Sequence, residues 1–175
     1  ILGLEQQGRE NEVVFAFEES CGFLKGTYAR DKDAQIACVL VCALAASCKL
    51  EGVTLIENME RLYRTYGFYE TEVVSVALDG EEGKKRCVEF IDSLRNSCPQ
   101  EIGGLPVQSV ADYQRGISTD CITGQETTLH FPSSNVLSYS VGEKSRVILR
   151  PSGTEPKLKI YYFASDASRD KAAHT

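Results

Sequence analysis

A change of pattern partway along the chain constrains its fold more than any other feature of the sequence. A strand pattern over residues 72–78 leads into a helical pattern whose apolar stripe comprises Cys87, Phe90, Ile91 and Leu94. Short runs with alternating apolar residues then follow, at residues 106–112, 127–131, 135–139, 146–149 and 157–163. One helix followed by several consecutive strands predicts an α+β domain with a largely antiparallel sheet and a flanking helix.

The first part of the chain predicts an α/β unit instead. Residues 13–17 form a continuous apolar run, which is typical of a strand buried on both faces of a mostly parallel sheet. A helix is predicted from Ala34, with Asp31 or Asp33 as its N-cap. Because this helix is apolar on almost every side, we expect it to be enclosed in a domain larger than this chain supplies.

A second helix is marked at both ends. Thr54 and Glu57 have the spacing of a capping box, and Gly67 is a typical C-terminal stop. Strand patterns begin just after this stop. We therefore divide the chain into an α/β unit over residues 1–69 and an α+β domain over residues 70–175.

Charge and apolar content argue against two classes of partner. The formal net charge is −6 and the sequence pI is about 5.0, which is unlike the basic surface of a nucleic-acid-binding protein. The most apolar run, residues 34–47, is shorter than the roughly 20 residues that span a bilayer. No signal peptide is recognisable, and we expect a cytoplasmic protein that binds neither nucleic acid nor membrane.

The cysteines indicate a structural role rather than a metal site. The seven cysteines form no Cys-x-x-Cys pair, and the chain has two histidines, His130 and His174. No zinc site is therefore predicted at the usual spacings. We expect Cys38, Cys42 and Cys48 to be small core residues of a protein in a reducing cytosol.

The segment Arg150-Pro151-Ser152-Gly153-Thr154-Glu155-Pro156-Lys157 has the composition of a phosphate-binding loop between two strands. Arginine presents a planar fork of donors, Ser152 and Thr154 add hydroxyl donors, and Gly153 lets backbone N–H groups come close. Lys159 adds a second cation on the following strand. The residue types alone fit a tight turn equally well, because Pro, Ser and Gly are common turn formers.

A second candidate site follows the apolar run near the start of the chain. Glu18 and Ser20 are two residues apart, and a carboxylate and a hydroxyl at that spacing can bond adjacent hydroxyls of a sugar or polyol. Lys32 could reach an anion. These residues could instead be an exposed acidic strand end and an ordinary lysine at the start of a helix. The residue types do not decide between this structural interpretation and a binding role.

Taken together and in this order, the segments resemble the C-terminal part of an α-D-phosphohexomutase. The resemblance rests on Phe17-Glu18-Glu19-Ser20-Cys21-Gly22, Arg30-Asp31-Lys32-Asp33, Ser134-Asn135-Val136-Leu137 and the Arg150 segment. The bacterial phosphoglucomutase/phosphomannomutase group is the most similar. Because the match spans essentially the whole chain, it is more specific than either motif alone and favours the phosphate-binding interpretation.

The resemblance implies a fold and a role for individual residues. Residues 1–69 would be the end of the third domain, and residues 70–175 the fourth domain, with a fold like that of the TATA-box-binding protein. Glu18 and Ser20 would contact sugar hydroxyls. Lys32 and Lys159 would correspond to basic residues that assist substrate binding in some members of the family. The substrate phosphate would be held by Arg150, Ser152, Gly153 and Thr154.

The implied reaction moves phosphate between C1 and C6 of a hexose through a bisphosphorylated intermediate such as glucose 1,6-bisphosphate, with Mg²⁺ as the metal. Neither the phosphoserine loop, usually Ser-His-Asn-Pro, nor the Asp-Gly-Asp-x-Asp-Arg metal loop occurs in this sequence. We therefore expect a fragment with no catalytic or metal-binding residue of its own, no turnover alone, and N-terminal domains of the same protein as its partner.

Two alternatives stay open from the sequence. The chain could be a non-catalytic interaction or anion-binding module built on the same fold, or part of a phosphoglucosamine mutase. Cys21 stands where the family often has glycine or a bulkier residue. The sequence does not choose between glucose and mannose, which differ only at C2.

Overall fold

The computed structural model describes residues 1–18, 22–78, 80–153 and 156–166. The chain divides into two compact units, Ile1–Leu62 and Tyr63–Thr175, which we call unit 1 and unit 2. Each unit has its own secondary structure and is described by itself.

Unit 1 combines a β-hairpin with helices. Strands β1 and β2 pair antiparallel, with Glu18 opposite Gly22. No single helix in the described ranges is long and apolar enough to cross a membrane. The helices Ala34–Leu50 and Leu55–Tyr66 together would have the length and composition to do so, but they are bent by 89° at the break between them. The elements are α1 (Leu2–Glu5), a 3₁₀ turn (Glu10–Glu12), β1 (Phe15–Glu18), β2 (Gly22–Lys25), α2 (Ala34–Leu50) and α3 (Leu55–Tyr66), whose last four residues belong to unit 2.

The helices begin and end where their local signals predict. The Asp33 carboxylate accepts a hydrogen bond from the Gln35 N–H at 2.8 Å, so Asp33 is the N-cap of α2. At α3 the Glu57 carboxylate accepts from the Thr54 N–H at 2.7 Å, and the Thr54 hydroxyl accepts from the Glu57 N–H at 3.1 Å. Gly67 follows α3 with a φ of 96°, which glycine adopts without strain. Both helix predictions are confirmed.

Two details predicted for unit 1 are wrong. All four β1 residues are exposed, and β1 pairs antiparallel with β2 instead of lying inside a parallel sheet. Burial on both faces needs covering elements, and within unit 1 the hairpin is a two-stranded sheet. Cys38 and Cys42 are likewise exposed, whereas Cys48 is buried as predicted. The cause is that α2 packs in unit 1 mainly against β2, which leaves most of its surface uncovered.

Unit 2 is an antiparallel sheet with a helix on one face. Its strands lie side by side in the order β3, β10, β9, β8, β5, β6, β7, and β4 pairs with β5. Neighbouring strands are antiparallel throughout. The predicted succession of an α/β part and an α+β part is confirmed. The bounds are β3 (Phe68–Ala77), α4 (Gly80–Asn96), β4 (Glu101–Ile102), β5 (Leu105–Asp112), β6 (Ile117–Asp120), β7 (Glu126–Thr128), β8 (Leu137–Val141), β9 (Ser145–Pro151) and β10 (Lys157–Asp166).

The core of unit 2 lies between α4 and the sheet. Cys87 and Ile91 of α4 are buried in one cluster with Leu137, Tyr139, Leu149 and other apolar residues of the strands. Phe90, predicted on the same stripe, is exposed instead. Adjacent residues are about 100° apart around a helix, so a stripe centred between Cys87 and Ile91 leaves Phe90 at its margin.

Candidate substrate site

The predicted phosphate loop joins β9 to β10, two neighbouring strands of the unit 2 sheet. Arg150 lies directly opposite Lys159 in the register of the two strands, and residues opposite each other project from the same face. Leu149 and Leu158 alternate with them and belong to the core under α4. Arg150 and Lys159 therefore share the face of the sheet that α4 leaves uncovered.

Backbone hydrogen bonds hold both ends of this loop. The Ser152 N–H donates to the Lys157 carbonyl oxygen at 2.8 Å, and the Leu78 N–H donates to the Pro156 carbonyl oxygen at 2.8 Å. A Cβ built on Gly153 would meet no heavy atom within 4 Å. The space around Gly153 is thus open, and the loop is fixed at its base. Thr154, the remaining predicted phosphate ligand, lies outside the described residues.

Arg150 is the group of this loop best placed to meet an anion. Its side chain is exposed, and it forms no ion pair with any residue that the structure describes. A guanidinium without a carboxylate neighbour keeps its fork of donors for a bidentate contact with an oxyanion. Ser152 and Lys159 beside it are half-buried.

The predicted sugar site of unit 1 lies at the end of the β1–β2 hairpin. Lys32 Nζ is 3.5 Å from Glu18 Oε1 and 3.0 Å from Asp31 Oδ1. The structure therefore brings together Glu18 and Lys32, which are 14 residues apart in the sequence. Ser20 lies outside the described residues. A carboxylate beside an ammonium group can serve a ligand that carries both hydroxyl and anionic groups.

Lys32 is held near Glu18 by the loop that precedes α2. The Asp33 N–H donates to the Phe23 carbonyl oxygen of β2 at 2.8 Å, which ties the loop to the hairpin. The Asp33 carboxylate caps α2 and also accepts a hydrogen bond from the Tyr28 hydroxyl. Asp33 thus joins strand, loop and helix, and the residue before it is directed at the end of β1.

Gly22 makes the close approach of Lys32 possible. A Cβ built on Gly22 would lie 2.6 Å from Lys32 Cγ and Cδ and 2.8 Å from Glu18 Oε1. Real Cβ atoms do not come so close to other atoms, so any side chain at this position would displace one or both neighbours. The constraint at this position is one of space and not of a left-handed backbone.

The charges of the unit 1 site reinforce one another. The hydrogen bond and charge of Asp31, followed by the charge of Glu18, raise the pKa of Lys32. Hydrogen bonds from Lys32, first from its backbone N–H, lower the pKa of Asp31. Lys32 is therefore a cation and Asp31 an anion at neutral pH, and the site presents both signs of charge to a ligand.

Two cavities bear on these assignments. One of about 190 Å³ in unit 1 is lined by Glu18, Asp31 and Lys32 together with Phe17 and Leu24. Another of about 550 Å³ in unit 2 is lined by other residues, from β3, β9, β10 and the β4–β5 turn. The larger cavity contains none of the predicted site residues. The smaller cavity coincides with the predicted sugar site of unit 1, and the Arg150 loop lines neither cavity.

Two residues of the unit 1 site were not assigned a ligand role from the sequence, Asp31 and Gly22. Asp31 could have been predicted from its place next to Lys32 in the sequence. The restriction on side-chain size at position 22 follows from the position of the Lys32 side chain and is not apparent from the sequence. In the ranges that the structure describes, no group of three or more His, Cys, Asp and Glu side chains could hold a metal ion.

Comparison with known proteins places both units in one family. Residues 5–66 match the α/β/α domain III of phosphoglucomutase/phosphomannomutase, and residues 134–173 match the C-terminal domain of the same family. The chain belongs to the phosphoglucomutase/phosphomannomutase family. Both matches follow the order of the family's domains, and together they cover more than half of the 175 residues.

Individual relatives agree with this family assignment. The chain is 39% identical over 158 residues to a phosphoglucomutase of Staphylococcus aureus strain MSSA476, and 37% identical to that of strain N315. Each match covers 90% of this chain and 28% of the relative. The open-form crystal structure of pp63/parafusin, a phosphoglucomutase from Paramecium, shares the fold with a TM-score of 0.60 at 19% identity over 95% of this chain and 28% of that one.

Proposed function

We propose that this chain is the substrate-binding part of a phosphohexomutase that interconverts hexose 1-phosphate and hexose 6-phosphate through a bisphosphorylated intermediate. The chain spans 28% of the length of the curated relatives it matches, so the activity of a whole protein is part of this proposal. The observation that carries it is the pair formed by Arg150 and Lys159, opposite each other at the base of a fixed hairpin loop.

In the proposed complex the Arg150 loop binds the phosphate that is not reacting. Arg150 donates from its guanidinium, Ser152 and Thr154 from their hydroxyls, and Gly153 from its backbone N–H, with Lys159 as an assisting cation. Hydrogen bonds to a charged group contribute roughly 1.5–3 kcal/mol each. That remote binding energy positions the opposite end of the sugar for transfer.

The unit 1 site binds the hydroxyls of the sugar in the same proposal. Glu18 accepts hydrogen bonds from neighbouring hydroxyls, Ser20 adds a third contact, and Lys32 assists at an anionic group. Either phosphate of the intermediate must be able to occupy the Arg150 loop in turn. Glu18 and Ser20 then need only meet hydroxyls that are similarly placed in both orientations.

Phosphoryl transfer itself is assigned to other domains of the same protein. A phosphoserine would donate the phosphate there, and a Mg²⁺ ion would offset the negative charge of the transferring group. The described residues provide no cluster that suits a metal ion, so no step of the proposal passes through a metal in this chain. We propose that the chain alone has no turnover and that the protein works in the cytoplasm.

A titration of the full 175-residue chain with glucose 1-phosphate tests the proposal. Amide signals in the Arg150 loop are expected to shift at millimolar ligand. Arg150→Ala should weaken binding about ten- to hundredfold, since it removes one or two charge-assisted hydrogen bonds. The affinity of Arg150→Lys should lie between those of the unsubstituted chain and of Arg150→Ala, because an ammonium group keeps the charge without the bidentate fork.

Arg146→Ala provides the matched control. Arg146 is exposed on the same strand and face as Arg150, but four residues away, which is about 13 Å along a strand. Its loss should leave affinity nearly unchanged. Unchanged spectra at millimolar glucose 1-phosphate would count against the proposal. Equal binding of inorganic phosphate, insensitive to Glu18→Gln, would instead favour a general anion-binding module.

A further inference from the structure

Two cysteines of unit 2 lie side by side at a place that the proposed function does not use. Cys98 Sγ is 3.9 Å from Cys121 Sγ, and both residues are exposed. Cys98 follows the end of α4, and Cys121 begins the turn between β6 and β7. The pair therefore joins two elements that are 23 residues apart in the sequence.

We propose that Cys98 and Cys121 form a reversible intramolecular disulfide, which makes this edge of unit 2 a thiol–disulfide switch. A disulfide bond is about 2.05 Å long, so the two sulfur atoms must approach by roughly 2 Å. Rotation of a cysteine side chain about its χ1 angle moves the sulfur atom by a distance of this order.

Backbone hydrogen bonds keep the two cysteines near each other. The Cys121 N–H donates to the Gln108 carbonyl oxygen of β5 at 2.8 Å. On the other side, the Val107 N–H of β5 donates to the Gln100 carbonyl oxygen at 2.8 Å, two residues after Cys98. Both sulfur-bearing segments are thus fastened to the same strand, which gives the thiols a high effective concentration.

The surroundings of the Cys98 thiol disfavour its ionisation. Burial, followed by the charge and hydrogen bond of Cys121, raises the pKa of the Cys98 thiol to about 11. A thiolate is the attacking species in disulfide exchange, and attack by either cysteine first leads to the same final disulfide.

The oxidant that this reaction requires is a small disulfide of the glutathione class. The Cys121 thiolate attacks one sulfur of that disulfide, forms a mixed disulfide and releases one small thiolate. Cys98 then loses its proton to solvent, attacks the Cys121 sulfur and releases the second small thiolate. Two protein thiols are oxidised by two electrons, and one small disulfide is reduced to two thiols.

The cross-link would act on the stability of unit 2 and not on the substrate loop. It would connect the end of α4 to the β6–β7 turn and close a loop that contains β4, β5 and β6. β6 is three strands away from β9 in the sheet, which is about 14 Å. Absence of the disulfide would therefore leave the proposed function unaffected, and failure to bind glucose 1-phosphate would leave the disulfide proposal unaffected.

Mass spectrometry of the full chain after incubation with oxidised glutathione tests the switch. Peptide mapping without reductant should show Cys98 joined to Cys121, with the loss of two hydrogen atoms in mass. Dithiothreitol should reverse the change. The midpoint of thermal unfolding should be roughly 5–10 °C higher in the oxidised protein, because the bond restricts the unfolded chain.

Substitution separates this pair from the other cysteines. Cys121→Ser should abolish both the linkage and the stabilisation, whereas Cys42→Ser on α2 should leave both in place. Two outcomes would overturn the proposal: persistent alkylation of Cys98 and Cys121 in the wild-type protein at equilibrium with oxidised glutathione, or a mixed glutathione adduct at Cys121 that Cys98 never resolves. Neither measurement depends on the folding of a variant.

Discussion

Arg95 and Asp112 form an ion pair inside unit 2, with Arg95 Nε 3.0 Å from Asp112 Oδ2. Their side chains are 5% and 7% exposed. The Arg95 guanidinium also donates to Asn135 Oδ1 at 2.6 Å and to Asp92. One arginine thus ties the end of α4 to β5 and to the segment before β8.

Asp112 accepts further hydrogen bonds inside unit 2. The backbone N–H groups of Gln114 and Arg115 donate to its other oxygen at 3.0 and 3.2 Å, which turns the chain from β5 toward β6. The Arg115 guanidinium lies 3.6 Å from the carboxylate. A buried charge is tolerated only when it is paired and hydrogen-bonded in this way.

We expect Arg95→Ala to destabilise the chain by about 3 kcal/mol, the lower end of the cost of breaking a buried pair. The loss should be at that end because Arg115 and two backbone N–H groups remain near Asp112. Chemical denaturation of both proteins measures the difference. Arg86→Ala removes an exposed ion pair with Glu82 on the same helix and should cost no more than about 0.5 kcal/mol. Equal losses in the two variants would contradict the assigned role.

Gly22→Ala should damage ligand binding without unfolding unit 1. The added methyl group would collide with the Lys32 stem and the Glu18 carboxylate, and both flexible side chains can move aside at low cost. Because the collision displaces charged groups of the site, we expect roughly a tenfold loss of affinity for glucose 1-phosphate, the value of about one charge-assisted hydrogen bond. Isothermal titration calorimetry measures it.

Gly3→Ala is the control for this substitution, since a Cβ there meets no atom within 4 Å. Its affinity and thermal midpoint should match those of the unsubstituted chain. Wild-type affinity in Gly22→Ala would show that the position of Lys32 is unimportant for the ligand.

Local signals in the sequence were enough for the helices and for the β9–β10 hairpin. The capping box at Thr54 and Glu57 and the glycine at position 67 act within a few residues, and residues 147–149 form a short apolar run. Pairing across the sheet is different, because it depends on residues far apart in the chain. The strand Ile117–Asp120 is mostly polar and half-buried, so its composition resembles a loop.

The candidate site divides in the same way. The residue types of the Arg150 loop reveal its chemistry, and the register that sets Lys159 opposite Arg150 follows from a short hairpin. The contact between Glu18 and Lys32 depends on a loop folded back by Asp33, and no local pattern encodes that path. Burial of β1 was predicted wrongly because an apolar run indicates a tendency to be buried, while actual burial requires a covering element.

The stability of α3 should fall in acid because of Glu57. Hydrogen bonds from Thr54 lower the pKa of Glu57 below its ordinary value of 4.5, so the folded state favours the ionised carboxylate. This contribution is complete above the unfolded pKa and is lost as the pH falls through the folded pKa. Thermal unfolding followed by circular dichroism between pH 7 and about pH 3 measures the dependence.

Glu57→Gln separates the charge of this cap from its hydrogen bonds. The amide oxygen can still accept from Thr54, so the variant should keep most of the stability at neutral pH. Its midpoint should change less with pH than that of the wild type. Identical pH profiles would assign the acid sensitivity to other carboxylates.

Arg150→Gln should stabilise the ligand-free chain while it weakens phosphosugar binding. Arg150 and Lys159 are like charges directly opposite each other on neighbouring strands, an arrangement that destabilises a sheet. A bound phosphate removes this repulsion, so the same pair that strains the empty hairpin favours the occupied one.

Arg146→Gln is the control, because Arg146 faces Phe163 and its loss relieves no repulsion. Urea denaturation with and without glucose 1-phosphate should show a higher midpoint for Arg150→Gln alone and a smaller gain on adding ligand. If Arg150→Gln has a lower midpoint than the unsubstituted chain without ligand, Arg150 stabilises the fold, which contradicts the expected repulsion.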